Sequence, residues 1–178
     1  MARIMTKIMV VPVAAVALLF AACGEQATTS QETDMSPAGK VTGYTSCKGT
    51  SDATSRGDTP TAQDCIVYSY DGHSVLTLKH VNAGFNCCPD SLLAAFRISL
   101  GQIIIDESED LASGGCHCLC LYDLDYRITG LSPGYYNIRV NQPYLRSGSE
   151  VLDFGVNLST AKSGTFCVTR NFYPWGTQ

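Results

Sequence analysis

From residue 64 to the C-terminus, apolar and polar positions alternate in short runs separated by turn-forming residues. Successive side chains of a strand point to opposite faces, so this period of two marks half-buried strands. The runs DCIVYSY (64–70) and HSVLTLKHV (73–81) flank Asp71-Gly72. That pair suits a type I′ hairpin, whose two central residues need positive φ. AAFRISL (94–100) and IIIDES (103–108) flank Gly101-Gln102, where a leading glycine predicts a type II′ turn. GGCHCLCLYDLDYRIT (114–129), NIRVNQ (137–142), VLDFGVNL (151–158) and TFCVTRNF (165–172) complete a set of about eight strands. No long stretch has helical periodicity, so residues 44–178 are expected to form one all-β domain, an antiparallel two-sheet β-sandwich.

The stretch ITGLSPGYYNIRV (128–140) refines this expectation. Leu131, the Pro133-Gly134 turn and Tyr136 (or Tyr135) ahead of a strand resemble the corner of fibronectin type III and related immunoglobulin-like domains, a corner that transthyretin-like sandwiches share. The resemblance implies an immunoglobulin-like sandwich and no particular activity.

The N-terminus decides the compartment. Arg3 and Lys7 precede the uncharged run IMVVPVAAVALLF (8–20), which is shorter than the roughly 20 residues that a membrane-spanning helix needs and fits the apolar core of an export signal. The run ends in Phe20-Ala21-Ala22-Cys23. This resembles the cleavage motif of bacterial lipoproteins, with Phe in the place where the family has Leu. The resemblance implies that residues 1–22 are a signal peptide, that Cys23 is lipidated through its sulfur, and that the protein is held on a membrane of the cell envelope. Residues 24–43 are rich in Thr, Ser, Gln, Glu and Gly and poor in large apolar side chains, so the segment 23–43 reads as a flexible tether.

Charge narrows the choice of partners. The formal charge of −4 becomes −6 once residues 1–22, with two basic residues and no acidic ones, are removed. A mildly acidic chain without a Lys/Arg run excludes nucleic acid as the expected partner and disfavours electrostatic docking on anionic lipid. The lipid anchor is then the membrane contact, and a protein or glycan ligand is left open.

Eight cysteines remain beyond Cys23: Cys47, Cys65, Cys87, Cys88, Cys116, Cys118, Cys120 and Cys167. In a continuous strand Cys116, Cys118 and Cys120 share the face of Tyr122, Leu124, Tyr126 and Ile128, while His117, Leu119 and Leu121 point the other way. Same-face neighbours lie roughly 6.5 to 7 Å apart, too far for three sulfurs to reach one zinc at about 2.3 Å. The row therefore favours disulfides to several partners, and exported thiols tend to oxidise. Adjacent Cys87 and Cys88, ahead of Pro89, are expected to lie against the row, with one or both bonded to it. Cys47 with Cys65, and Cys167 with a neighbouring strand, are the remaining candidates. The alternative is a zinc or copper(I) site drawn from Cys87, Cys88, Cys116, Cys118, Cys120, His80 and His117. Otherwise no cofactor is expected. A thioredoxin-type site lacks its Cys-x-x-Cys.

His80 continues the face of Leu76 and Leu78 and reads as a satisfied core histidine. Asp106, Glu107, Glu109 and Asp110 follow an apolar strand and read as a solvated loop at its end, with acid/base chemistry the remote alternative. Asp123 and Asp125 have calcium-like spacing without the rest of a calcium loop. Tyr135, Tyr136, Tyr144, Tyr173 and Trp175 are numerous enough for a sticky patch, or else fill the core. No catalytic residue is assigned. The expectation is a non-enzymatic, membrane-tethered binding or structural module, with a soft-metal lipoprotein as the alternative.

Overall fold

The computed structural model describes residues 36–48 and 59–176; the readings of the export signal, of Cys23 and of most of the tether lie outside the described residues. Among the described residues nine strands form two sheets. They are β1 (Ala38–Tyr44), β2 (Gln63–Tyr70), β3 (Leu76–Asn86), β4 (Ser91–Ser99), β5 (Gln102–Asp110), β6 (Leu119–Thr129), β7 (Tyr135–Asn141), β8 (Leu152–Asn157) and β9 (Ser163–Thr169). One sheet has the order β1-β6-β3-β2-β9, the other β4-β5-β7-β8. Inward side chains of both sheets, among them Ile66, Leu78, Ile103, Ile105, Leu124, Ile138 and Leu152, build the shared core of an all-β, sandwich-like domain.

The alternation located the strands, but the architecture departs from expectation in three places. β5 and β7 pair in parallel, so the second sheet is mixed rather than purely antiparallel. The cause is connectivity: after β5 the chain crosses to the other sheet for β6 and returns for β7 in its original direction. Second, β1 lies within the segment read as tether. It alternates exposed residues with half-buried Gly39, Val41 and Gly43, and so presents almost no apolar signal. Its order comes from backbone pairing with β6 and from Gly39, where a Cβ would collide with the Phe96 ring. Third, β6 begins at Leu119, so only Cys120 of the cysteine row stands in the strand.

The turns also differ in detail. Residues 71–75 form a five-residue connection in which Asp71 Oδ1 accepts hydrogen bonds from the backbone N–H groups of His73, Ser74 and Val75 at 2.8, 2.9 and 3.0 Å. The β4–β5 turn is centred on Leu100-Gly101, one residue earlier than predicted, with Gly101 at φ +70°. At the corner after β6, Leu131 is buried and the Tyr136 hydroxyl donates to the Ser132 carbonyl at 2.9 Å.

β3 carries an irregularity that positions the site described below. Its register with β6 shifts between His80 and Ala83, and Asn82 adopts φ +65°. The extra residue changes the phase of the strand, as a β-bulge does. Leu76, Leu78 and His80 face the core before it; Ala83 and Phe85 do so after it. Gly84 is thereby turned outward, where a Cβ would come within 2.5 Å of the Trp175 ring. The segment after β9 folds back over this outer face, and Phe172 and Trp175 pack on Leu121. Trp175 is fully buried, with its Nε1 donating to Asn82 O at 2.7 Å.

Candidate functional site

A fully connected group of charged side chains lies between the two sheets. His80 has no exposed surface, and both of its ring nitrogens meet carboxylates: Nε2 is 2.6 Å from Asp64 Oδ1 and Nδ1 is 2.5 Å from Glu107 Oε1. Asp64 Oδ2 accepts hydrogen bonds from Arg170 Nε at 2.9 Å, Arg170 Nη2 at 2.8 Å and Gln142 Nε2 at 2.8 Å. The Tyr126 hydroxyl donates to Glu107 Oε1. Glu107 Oε2 has no partner among the described residues. Strands β2, β3, β5 and β6 and the segments following β7 and β9 each contribute one of these residues, so the group ties the two sheets together.

Electrostatics explains how such charges tolerate burial. Burial alone lowers the His80 imidazolium, but the charges and hydrogen bonds of Glu107 and Asp64 overcome it and push the histidine up to about 10. Burial likewise works to raise Asp64; the charge and hydrogen bond of His80, with help from Gln142 and Arg170, outweigh it and hold the carboxyl below its usual range. Burial first, and then the Glu107 charge and hydrogen bond, raise the Tyr126 phenol well above its usual value. Two carboxylates thus balance two cations, with Tyr126 neutral.

This gives stability a sign with pH. The folded protein holds the His80 proton more tightly than the unfolded chain, which releases it near 6.5. The stabilisation is therefore complete below pH 6.5 and is lost as the pH rises through about 10. Chemical denaturation at a series of pH values is expected to show stability falling across that window, and the fall is expected to disappear in His80→Gln. A wild-type profile flat from pH 6.5 to 10 would contradict a protonated His80.

The eight cysteines form four disulfides. Cys65 and Cys167 stand opposite each other on β2 and β9, with Cα atoms 4.1 Å apart, close to the spacing of about 4.5 Å in a non-hydrogen-bonded antiparallel pair. Cys47 is bonded to Cys120, Cys87 to Cys118 and Cys88 to Cys116. Cys47 therefore does not pair with Cys65, whereas Cys167 does bond to a neighbouring strand. Both adjacent cysteines reach the 116–118 segment, which lies beyond the start of β6 and keeps one backbone bond to the chain after β3, from Cys87 N to Cys118 O at 3.1 Å. Asn86 holds it in place: Oδ1 accepts from Cys88 N at 3.0 Å and Cys116 N at 2.9 Å, and Nδ2 donates to Cys116 O at 2.7 Å.

The other predicted residues disperse. All five sulfurs considered as metal ligands are in disulfides; His80 is enclosed by Asp64 and Glu107, and His117 is exposed. No group of three or more His, Cys, Asp or Glu side chains among the described residues could hold a metal ion. The acidic cluster is not a solvated loop but part of β5, so its members alternate faces. Glu107 is 6% exposed and points inward; Glu109 accepts from Asn86 N at 2.8 Å and from the Tyr144 hydroxyl; Asp106 faces out, 2.9 Å from Arg97. Asp123 and Asp125 pair with Lys48 and Lys79. Of the aromatic residues, Trp175 is in a second, small core and Tyr136 closes the corner, while Tyr135 and Tyr173 are exposed.

Sequence reasoning found His80 but missed its partners Asp64, Glu107, Tyr126, Gln142 and Arg170. One signal was present: Glu107 continues the inward alternation of Ile103 and Ile105. Nothing local links Arg170 to Asp64, 106 residues away. No protein-family model, curated protein or solved structure matches the chain.

Proposed function

We propose that this protein is a lipid-anchored module of a bacterial cell envelope, a non-enzymatic binding or structural domain on an immunoglobulin-like sandwich. The observation that supports it most is the pairing of all eight cysteines between residues 47 and 167, an arrangement that persists in oxidising compartments and is rare in the cytosol. Cys23 is then the one sulfur left for a lipid, and the segment between it and β1 links the anchor to the domain. The Leu131 to Tyr136 corner supports the immunoglobulin-like assignment. A non-enzymatic role fits the closure of the histidine–carboxylate group, where both His80 nitrogens are occupied and no substrate reaches them.

The test is expression of the full chain in a bacterium with radiolabelled palmitate, followed by fractionation. Wild type is expected to be labelled and to sediment with membranes, and Cys23→Ala to lose the label and leave the membrane fraction. An unlabelled, reduced wild-type protein in the cytosol would overturn the proposal.

A further inference from the structure

The outer face of the four-stranded sheet carries an exposed aromatic ring, that of Tyr135. Ile138 and Val140 of β7 and Leu152, Phe154 and Val156 of β8 face the core, so Tyr135 and Asn137 face outward, as do Gly155 and Asn157. Tyr135 is 64% exposed. Its ring does not stand off the sheet: the hydroxyl end occupies the space that a Cβ at Gly155 would fill, so the ring reclines across β8. Glycine at 155 is what permits this posture.

Side-chain amides surround the ring. Asn157 is directly opposite Tyr135, Gly155 is opposite Asn137, and Gln102 of β5 is opposite Asn137 on the other side. Adjacent strands are about 4.8 Å apart, so these groups fall within one small patch. Among the described residues neither the Gln102 and Asn137 amides nor the Tyr135 hydroxyl has a hydrogen-bond partner, and the only side-chain bond of Asn157 uses its Oδ1, on Ser159 N. Beyond Gly155 the charges cancel. Arg139 pairs with Asp153 at 3.2 Å, and Asp106 is shared between Arg97 and Asn141.

We infer that this face binds a neutral pyranoside, with Tyr135 as the platform for one sugar ring and Gln102, Asn137 and Asn157 as partners for its hydroxyls. The chemistry fits in each part. An aromatic face carries negative charge density and attracts the C–H groups on the apolar side of a sugar ring. An amide both donates and accepts, as a hydroxyl does, so a row of amides matches a row of hydroxyls. The paired state of Arg139 and Asp153 leaves no net charge for an anionic or cationic ligand, which is why the sugar is neutral. The inference gives the binding module proposed above a ligand class, but its test depends on neither export nor the anchor, so the two can fail separately.

The full chain, purified in a detergent without a sugar headgroup, is titrated with cellohexaose, mannohexaose and chitohexaose. Saturation-transfer NMR identifies which sugar protons touch the protein, and calorimetry gives the affinity. At least one oligosaccharide is expected to bind through its ring C–H protons. Tyr135→Ala is expected to weaken it about tenfold, the scale of one lost aromatic contact, while Tyr135→Phe stays close to wild type. Tyr135 is exposed, so an unchanged thermal transition in the variants shows that folding is intact. Failure of all three sugars to bind, or equal binding by Tyr135→Ala, would overturn the inference. A Tyr135-dependent self-association in sedimentation, with no sugar bound, would overturn it in favour of a protein contact.

Discussion

Replacing His80 with alanine is expected to destabilise the domain by about 3–5 kcal/mol, because it leaves two buried carboxylates without their shared cation. Asp64 keeps Arg170 and Gln142; Glu107 keeps only the Tyr126 hydroxyl. The greater part of the loss therefore falls on Glu107. Removing charge and countercharge together has a different consequence: a buried pair replaced by apolar residues of similar volume is often neutral. His80→Leu combined with Glu107→Leu is accordingly expected to recover most of the loss. Denaturant midpoints of the single and double variants check this. A cost below about 1 kcal/mol for His80→Ala would show that the buried charges do not hold the sheets together.

Reduction is expected to have a still larger effect. The Cys65–Cys167 bond joins residues 102 apart, and Cys47–Cys120 joins residues 73 apart. In the chain-entropy account a loop of about 100 residues is worth roughly 4.7 kcal/mol, against a total domain stability of about 5–15 kcal/mol. The Cys87–Cys118 and Cys88–Cys116 loops, with separations of 31 and 28, are nested, so the second restricts a chain that the first has already closed. Even without full additivity, breaking all four bonds removes most of the margin. Calorimetry is expected to show a cooperative thermal transition in the oxidised protein and none after reduction and alkylation. A transition unchanged by reduction would mean that the core alone suffices.

The strands were legible wherever one face is buried and the other wet, because burial writes a period of two into the chain. That holds for β5, β7 and β8. β1 was not legible: it is an edge strand with glycines in its half-buried positions, so pairing rather than burial defines it. The parallel β5–β7 pairing was equally hidden, since it follows from where β6 goes and not from anything in β5 or β7.

Phase carried its own lesson at Val81-Asn82. Read as a regular strand, β3 would put Phe85 on the solvent side, and only the bulge restores it to the core. The cysteine row shows the opposite case. Alternation placed Cys120 correctly with Tyr122, Leu124, Tyr126 and Ile128, but began the strand five residues too early, because two disulfides, the Asn86 side chain and a single backbone bond from Cys87 N to Cys118 O order residues 116–118. The buried charges were the least legible of all. Glu107 looked like one of several surface acids, and its role depends on His80 and Tyr126 from two other strands.

The paired state of the cysteines carries most of this reading, and mass spectrometry of the full-length protein, alkylated without reductant and then digested, measures it directly. The expected result is that no cysteine from 47 to 167 is alkylated, with linked peptides joining Cys47 to Cys120, Cys65 to Cys167, and the 87–88 pair to the 116–118 segment. Alkylated thiols at Cys65 and Cys167, or a linked peptide joining Cys47 to Cys65, would contradict it.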